Sequence, residues 1–332
     1  MRNTRPTRMR SWLFVAVLTV LIPSASAQTA RIAFEKNDTL EEIRQKIEAN
    51  GYAFQVEPNW VYKLPESDRQ RLLSRRASPK PLKPLDEPDY GPLMQVLSRQ
   101  NGLPSSFDWR SQGGHTYIGA VRNQGDCGSC YSFGATAALE SVYNINNGLY
   151  DGNCVDLSEA FLAFCLGELP AYYDHFYGCD GADYDYLELQ ALAEYGLPLE
   201  SAFPYSDSLT ACQQDSWNAS RYSVQSWHRV PCADVNAIKT AIYNYGVVDA
   251  AVLAGDAFMA YSTGVYDDTN ASCDTTPCYY AETNHAIALV GWNDDPVDGG
   301  YWILRNSWGT SWGESGYMRI KYQAAHVSCA VC

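Results

Sequence analysis

The chain has 332 residues, enough for roughly two average domains and a sizeable core. With 46% hydrophobic and 19% charged residues it is neither a disordered polyelectrolyte nor a series of membrane spans. A formal charge of −14 argues against a surface built on phosphate contacts, which need Lys and Arg, so no nucleic-acid partner is expected.

The N-terminus carries Arg2, Arg5, Arg8 and Arg10 without an acid, then an apolar run from Trp12 to Ile22 and the small-x-small site Ala25-Ser26-Ala27. The run is about half the ~20 residues a membrane-spanning helix needs. This is the pattern of a secretory signal peptide over residues 1–27. A secreted protein is therefore expected, extracellular or periplasmic, or lysosomal or vacuolar in a eukaryotic host, with no membrane contact once the leader is gone. Eleven cysteines, a high count for a reducing cytosol, agree with an oxidising destination.

Residues 28–102 form a small, charged zone. Thr39 with Glu42 three residues on is a capping box, and Leu40, Ile43 and Ile47 then share one helical face. Asn50-Gly51 stops that helix, and a second is expected over Ser67 to Arg75. Pro79, Pro81, Pro84, Pro88 and Pro92 follow, a linker over residues 79–92 that favours extended, cleavable chain. The body begins near Leu103. Residues 28–102 hold 12 Lys/Arg against 11 Asp/Glu, whereas residues 103–332 hold 8 against 27. The acidity either only keeps the body soluble or complements a detachable N-terminal segment.

Residues 123–133 read NQGDCGSCYSF, and the small and apolar residues from Tyr131 to Tyr143 predict a helix that places Cys130 at its N-terminus. The unpaired N–H groups there favour a thiolate, which a nucleophilic cysteine needs. Cys127 and Cys130 alone also allow a redox dithiol or half of a zinc site completed by Cys329 and Cys332. Downstream residues favour the nucleophile. His285 opens the β-rich run HAIALVGW, a rigid platform for a base, and Asn306 in YWILRNSWGTSWG supplies an amide oxygen that can hold the imidazole's tautomer. Trp308 and Trp312 are placed to shield that pair from water.

These motifs resemble the papain family of cysteine peptidases. CGSCY fits the family's nucleophile signature C-G-[SA]-C-[WY]. FDWR at 107–110 is similar to the mature start, and QGDCGSCYSF, NHA and NSWG follow in the family's order over residues 103–332. The resemblance implies an α+β papain-like fold: a helical left domain carrying the cysteine, a β-barrel-like right domain carrying the histidine, and a cleft between them. It implies Cys130 as nucleophile, His285 as acid and base, Asn306 as the residue orienting the imidazole, and Gln124 as side-chain donor to the oxyanion beside the Cys130 N–H. Gly181, Ala182, Asp183, Ala286 and Trp308 fall at substrate-binding positions, and neither cofactor nor metal is implied.

The sequence departs from the family at three places. Tyr131 replaces the usual Trp, Ala182 replaces a Gly of the Cys-x-Gly-Gly run, and Asp183 stands where an apolar residue often lines the second subsite. Asp183 is either a solvated acid or a group that recruits a basic side chain. The stretch from Cys165 to Cys179 is long but lacks the paired histidines of a carboxydipeptidase loop, so endopeptidase action on polypeptide substrates by a monomer is expected. With Cys130 set aside, ten cysteines suffice for five disulfides. The resemblance selects Cys127–Cys179 and Cys165–Cys212, with a third bridge from Cys273 or Cys278 to Cys329 or Cys332, and leaves Cys154 and Cys232 unassigned. It also implies that residues 28–102 are a propeptide acting as an intramolecular inhibitor, aided by charge complementarity and cut at Arg75-Arg76 or in the linker. Alternatives on the same residues are an acyltransferase or peptide ligase, or a catalytically silent binding homologue.

Overall fold

The computed structural model describes residues 31–73, 102–183, 186–268, 271–273, 282–296 and 299–331, together with Met1. The expected signal peptide, the proline-rich linker, Arg75-Arg76, Cys278 and Cys332 lie outside the described residues. Among the described residues no helix is long and apolar enough to cross a membrane.

The N-terminal zone begins with α1 (Leu40–Asn50). Its capping box forms as the sequence predicts: Thr39 Oγ1 accepts from the Glu42 N–H at 3.3 Å, and the Glu42 carboxylate accepts from the Thr39 N–H at 2.8 Å. Gly51 takes φ +67° and ends the helix. Ile43 and Ile47 are buried. Strand β1 (Ala53–Val56) alternates exposed and buried, turning Phe54 and Val56 inward. Helix α2 runs only over Glu66–Arg71, shorter than the expected 67–75, and stops where Leu72 and Leu73 become buried.

The body supplies β2 (Ser106–Asp108), α3 (Cys130–Asn147), α4 (Leu187–Glu194), α5 (Val235–Tyr245), β3 (Val248–Val252), α6 (Asp256–Met259), β4 (Tyr261–Tyr266), β5 (His285–Asn293), β6 (Tyr301–Arg305) and β7 (Tyr317–Lys321). One seven-stranded sheet runs β1-β4-β7-β6-β5-β2, with β3 also paired to β5. It is open, with β1 and β2 at its ends. Its first strand comes from the N-terminal zone, which the sequence did not suggest. Ala53 pairs with Val265 and Phe54 with Gly264 in antiparallel register. Gly264 has φ +97°, and a Cβ there would meet the Ala53 carbonyl oxygen, so glycine lets the two strands approach.

Helix α3 is buried nearly all round, as a helix between two layers must be. Tyr131, Ala135 and Leu139, four residues apart, join the helical core with Phe161, Leu162, Leu189 and Leu192. Ala137 on another face joins the sheet core with Ile287, Leu289, Trp302 and Trp308. This gives the helical and sheet halves of the expected α+β architecture. Ile43, Ile47, Phe54, Val56, Val61, Leu72 and Leu73 of the N-terminal zone belong to that same sheet core. Each such side chain contributes roughly 1.5–3 kcal/mol of burial.

Among the described residues three disulfides join both partners: Cys127–Cys179, Cys165–Cys212 and Cys273–Cys329. Cys232 is also disulfide-bonded. The expectation of five bridges from ten cysteines does not hold. Cys154 keeps its thiol, which donates to the Thr116 carbonyl at 3.8 Å, and burial raises its pKa. Because Cys127 bonds Cys179 and Cys329 bonds Cys273, the redox-dithiol and zinc readings of Cys127 and Cys130 both fall away.

Candidate active site

Cys130 opens α3 and His285 opens β5. The two elements begin side by side: a Cβ added at Gly134, one turn into α3, would lie 3.2 Å from the Ile287 carbonyl oxygen, two residues into β5. Cys130 is fully buried and carries a thiol. The N-cap Ser129 makes no side-chain bond to the helix end. Its hydroxyl lies 2.7 Å from the Tyr205 hydroxyl, which in turn donates to the Gln124 carbonyl at 2.8 Å. The cap side chain therefore takes none of the first N–H groups of α3, and the helix N-terminus places partial positive charge at Cys130.

His285 Nε2 and Asn306 Oδ1 are 2.8 Å apart. The same amide oxygen accepts from the Ser307 N–H at 2.7 Å, so it faces donors and the imidazole proton sits on Nε2. Nδ1, which makes no hydrogen bond, keeps the lone pair that can take a thiol proton. Trp308 stacks on the imidazole with ring centroids 4.5 Å apart, and Phe258 and Trp312 close behind Trp308. His285 is 2% exposed. Burial lowers its pKa to about 4, against the opposing bond to Asn306. With residues 31–73 in place the imidazole is thus neutral at neutral pH.

Gln124 is fully buried and fixed on three sides. Its Oε1 accepts from the Ser307 hydroxyl at 2.7 Å, and its N–H donates to the Ser307 carbonyl at 2.8 Å. Its Nε2 donates to the Cys127 carbonyl at 2.7 Å and to the Leu72 carbonyl at 2.8 Å. The N-terminal zone thus lays a peptide carbonyl on the amide expected to hold an oxyanion. It continues over Gly128, where a Cβ would lie 2.8 Å from the Leu73 carbonyl oxygen and 3.2 Å from that of Arg71. Trp60 Nε1 donates to the Trp308 carbonyl at 2.9 Å.

The structure brings Cys130, His285, Asn306, Gln124 and Trp308 into one site, with Ala286 beside His285 and packed on the helical core. Gly181, Ala182 and Asp183 lie on the loop that the Cys127–Cys179 bridge and the bond from the Gly128 N–H to the Cys179 carbonyl, 2.9 Å, tie to Cys130. Ala182 pairs with Phe176 and is buried in the helical core. The Asp183 carboxylate accepts from the Tyr177 hydroxyl at 3.1 Å and lies 3.6 Å from His175 Nδ1. It is therefore engaged within its own loop. Sequence reasoning missed Ser307, Tyr205 and Phe258. Ser307 sits in the NSWG run, but Tyr205 and Phe258 have no spacing signal.

A thiol at a helix end, an imidazole held by an amide and a buried donor to a carbonyl oxygen suit nucleophilic acyl transfer. A family model described as papain family cysteine protease matches residues 103–331, and the chain belongs to that family. Macrodontain-1 of Ananas macrodontes is 32% identical over 234 residues, covering 69% of this chain and 94% of the relative. The senescence-specific cysteine protease SAG12 of Arabidopsis thaliana is 29% identical over 290 residues, covering 87% and 77%. Other plant relatives are longer: the chain spans 44% of the probable cysteine protease RD21C of Arabidopsis thaliana and 56% of the cysteine endopeptidase RepA of rice. Among solved structures, digestive procathepsin L2 proteinase from the larval midgut of Tenebrio molitor matches with a TM-score of 0.71 at 26% identity, covering 88% of this chain and 87% of that one. That share of this chain is larger than residues 103–331 could supply.

Proposed function

We propose that the chain is a secreted endopeptidase precursor in which residues 31–73 block the catalytic cleft. The Cys130 thiol gives its proton to His285 Nδ1, and its sulfur attacks a peptide carbonyl carbon. The carbonyl oxygen becomes an oxyanion between Gln124 Nε2 and the Cys130 N–H. The imidazolium then protonates the leaving amine, the C–N bond breaks, and a Cys130 thioester remains. Water, giving a proton to His285, attacks the thioester and releases the acid and the thiol. Asn306 holds the ring in the tautomer that each step needs.

The observation that carries this reading is the Leu72 carbonyl bound by Gln124 at 2.8 Å. A peptide group already lies where the scissile one would, and burial of Leu72 and Leu73 keeps water and substrate out. The test is labelling of the acid-processed protein with a peptidyl epoxide, read by intact mass, together with cleavage of an unfolded protein. One label, absent in Cys130→Ala, with cleavage blocked by the label, is the expected result. A folded, processed protein that takes no label overturns the reading.

A further inference from the structure

Around the covered site one carboxylate is engaged by the N-terminal segment in a way the catalytic chemistry does not require. Arg71 immediately precedes the residue whose carbonyl Gln124 holds, and its Nη1 lies 2.9 Å from Asp126 Oδ2. Asp126 sits in the loop between Gln124 and Cys127. Its other oxygen, Oδ1, is buried and makes no hydrogen bond. A carboxylate with one oxygen turned away from water gains more from a cation than a freely solvated one does. A second acid crowds it: Asp207 Oδ2 accepts from the Asp126 N–H at 3.2 Å. The exposed Asp207 and the half-exposed Asp126 thus form a negative rim beside Gly128. Asp183, the acid at a family subsite position, is already met by Tyr177 and His175. The body as a whole, with 8 Lys/Arg against 27 Asp/Glu, draws cationic polypeptides toward that rim.

We propose that Asp126 is a specificity-determining residue that selects substrates with an Arg or Lys side chain within one residue of the scissile carbonyl, in the place Arg71 occupies in the precursor. This rests on the peptidase reading above. It also gives the enzyme a reason to recognise the Arg75-Arg76 pair of its own chain as a processing site. The guanidinium that leaves with the N-terminal segment is replaced by one carried on the substrate.

The test compares fluorogenic peptides bearing arginine or its neutral isostere citrulline before, at, or after the scissile carbonyl, cleaved by the acid-processed full-length chain. At one of these positions arginine should raise kcat/KM about tenfold, mainly through KM, and the advantage should shrink in about 0.5 M salt. In Asp126→Asn the ratio should fall to about one, and in Asp126→Lys glutamate should be favoured over glutamine at that position. Epoxide labelling of Cys130 checks that each variant is folded. A wild-type ratio near one at all three positions, or a ratio unchanged in Asp126→Asn, overturns the proposal and leaves the peptidase reading intact. Cleavage of neither series by the wild type overturns both.

Discussion

Replacing Gln124 by Ala removes a donor to the developing oxyanion and, in the precursor, the bond to Leu72. Loss of one such donor raises the barrier by about 2.7–4 kcal/mol, so kcat of the processed enzyme should fall roughly 100- to 1,000-fold with little change in KM. Steady-state kinetics on one peptide substrate checks this. A second expectation concerns His285, whose pKa is lowered to about 4 by burial. An opened form with a solvated imidazole binds its proton nearer the ordinary value of about 6.5. The closed precursor is therefore fully favoured above about pH 6.5 and loses favour as pH falls toward 4, by at most about 3 kcal/mol. Self-processing should accelerate through that window, and a time course of precursor loss at graded pH measures it. Rates equal at pH 7 and pH 4.5 would count against this coupling. At this scale the sequence is most legible where chemistry demands a residue type: a thiol, an imidazole, an amide oxygen. It is silent on Tyr205, because a hydroxyl that braces a neighbour needs only proximity in space. Cys154 shows the converse, since counting cysteines assigns partners without knowing which thiols the fold brings within bonding reach.

Strand β1 turns the N-terminal segment from a plug into part of the sheet. Phe54 is 2% exposed, and its ring lies 4.8 Å from that of Tyr266 on β4. Phe54→Ala should cost about 3–5 kcal/mol of docking and give a precursor that takes the peptidyl epoxide at neutral pH, where the wild type does not. On the helical side, α3 carries Glu140 against Glu159. Burial, and then the Glu140 carboxylate, pushes the Glu159 pKa up to about 8. A raised carboxyl contributes stability that is complete below its unfolded value, about 4.3, and is lost as pH rises through about 8. Glu159→Gln mimics the neutral form, so its thermal unfolding midpoint should stay flatter than the wild type's between pH 5 and 8. Helix α1 and strand β5 are legible because capping and β-rich patterning are local. The pairing of β1 with β4 is not, because its two strands lie some two hundred residues apart and nothing in four residues names a partner.

For the whole molecule, the charge imbalance suggested that electrostatics holds the N-terminal segment in place. The contacts favour a different weighting. Arg69 meets Asp256 at 3.3 Å with both side chains mostly covered, but Arg71–Asp126 is half exposed, and seven apolar side chains lie in the shared core. Purified residues 28–102 added in trans should therefore inhibit the processed enzyme at micromolar concentration. Raising salt from about 0.05 to 0.5 M should weaken that inhibition only severalfold, since screening reaches the exposed pairs and not the buried core. An inhibition constant that rises a thousandfold over that range would restore the electrostatic account. The strand shared between inhibitor and enzyme has one further consequence. When the segment is cut away, β4 loses its neighbour and Tyr261–Tyr266 becomes a raw margin of unfilled amide and carbonyl groups backed by aromatic rings. Removal of the segment would thus shift the open margin of the sheet from the four-residue β1 to the six-residue β4, a longer seam for other extended chains to join.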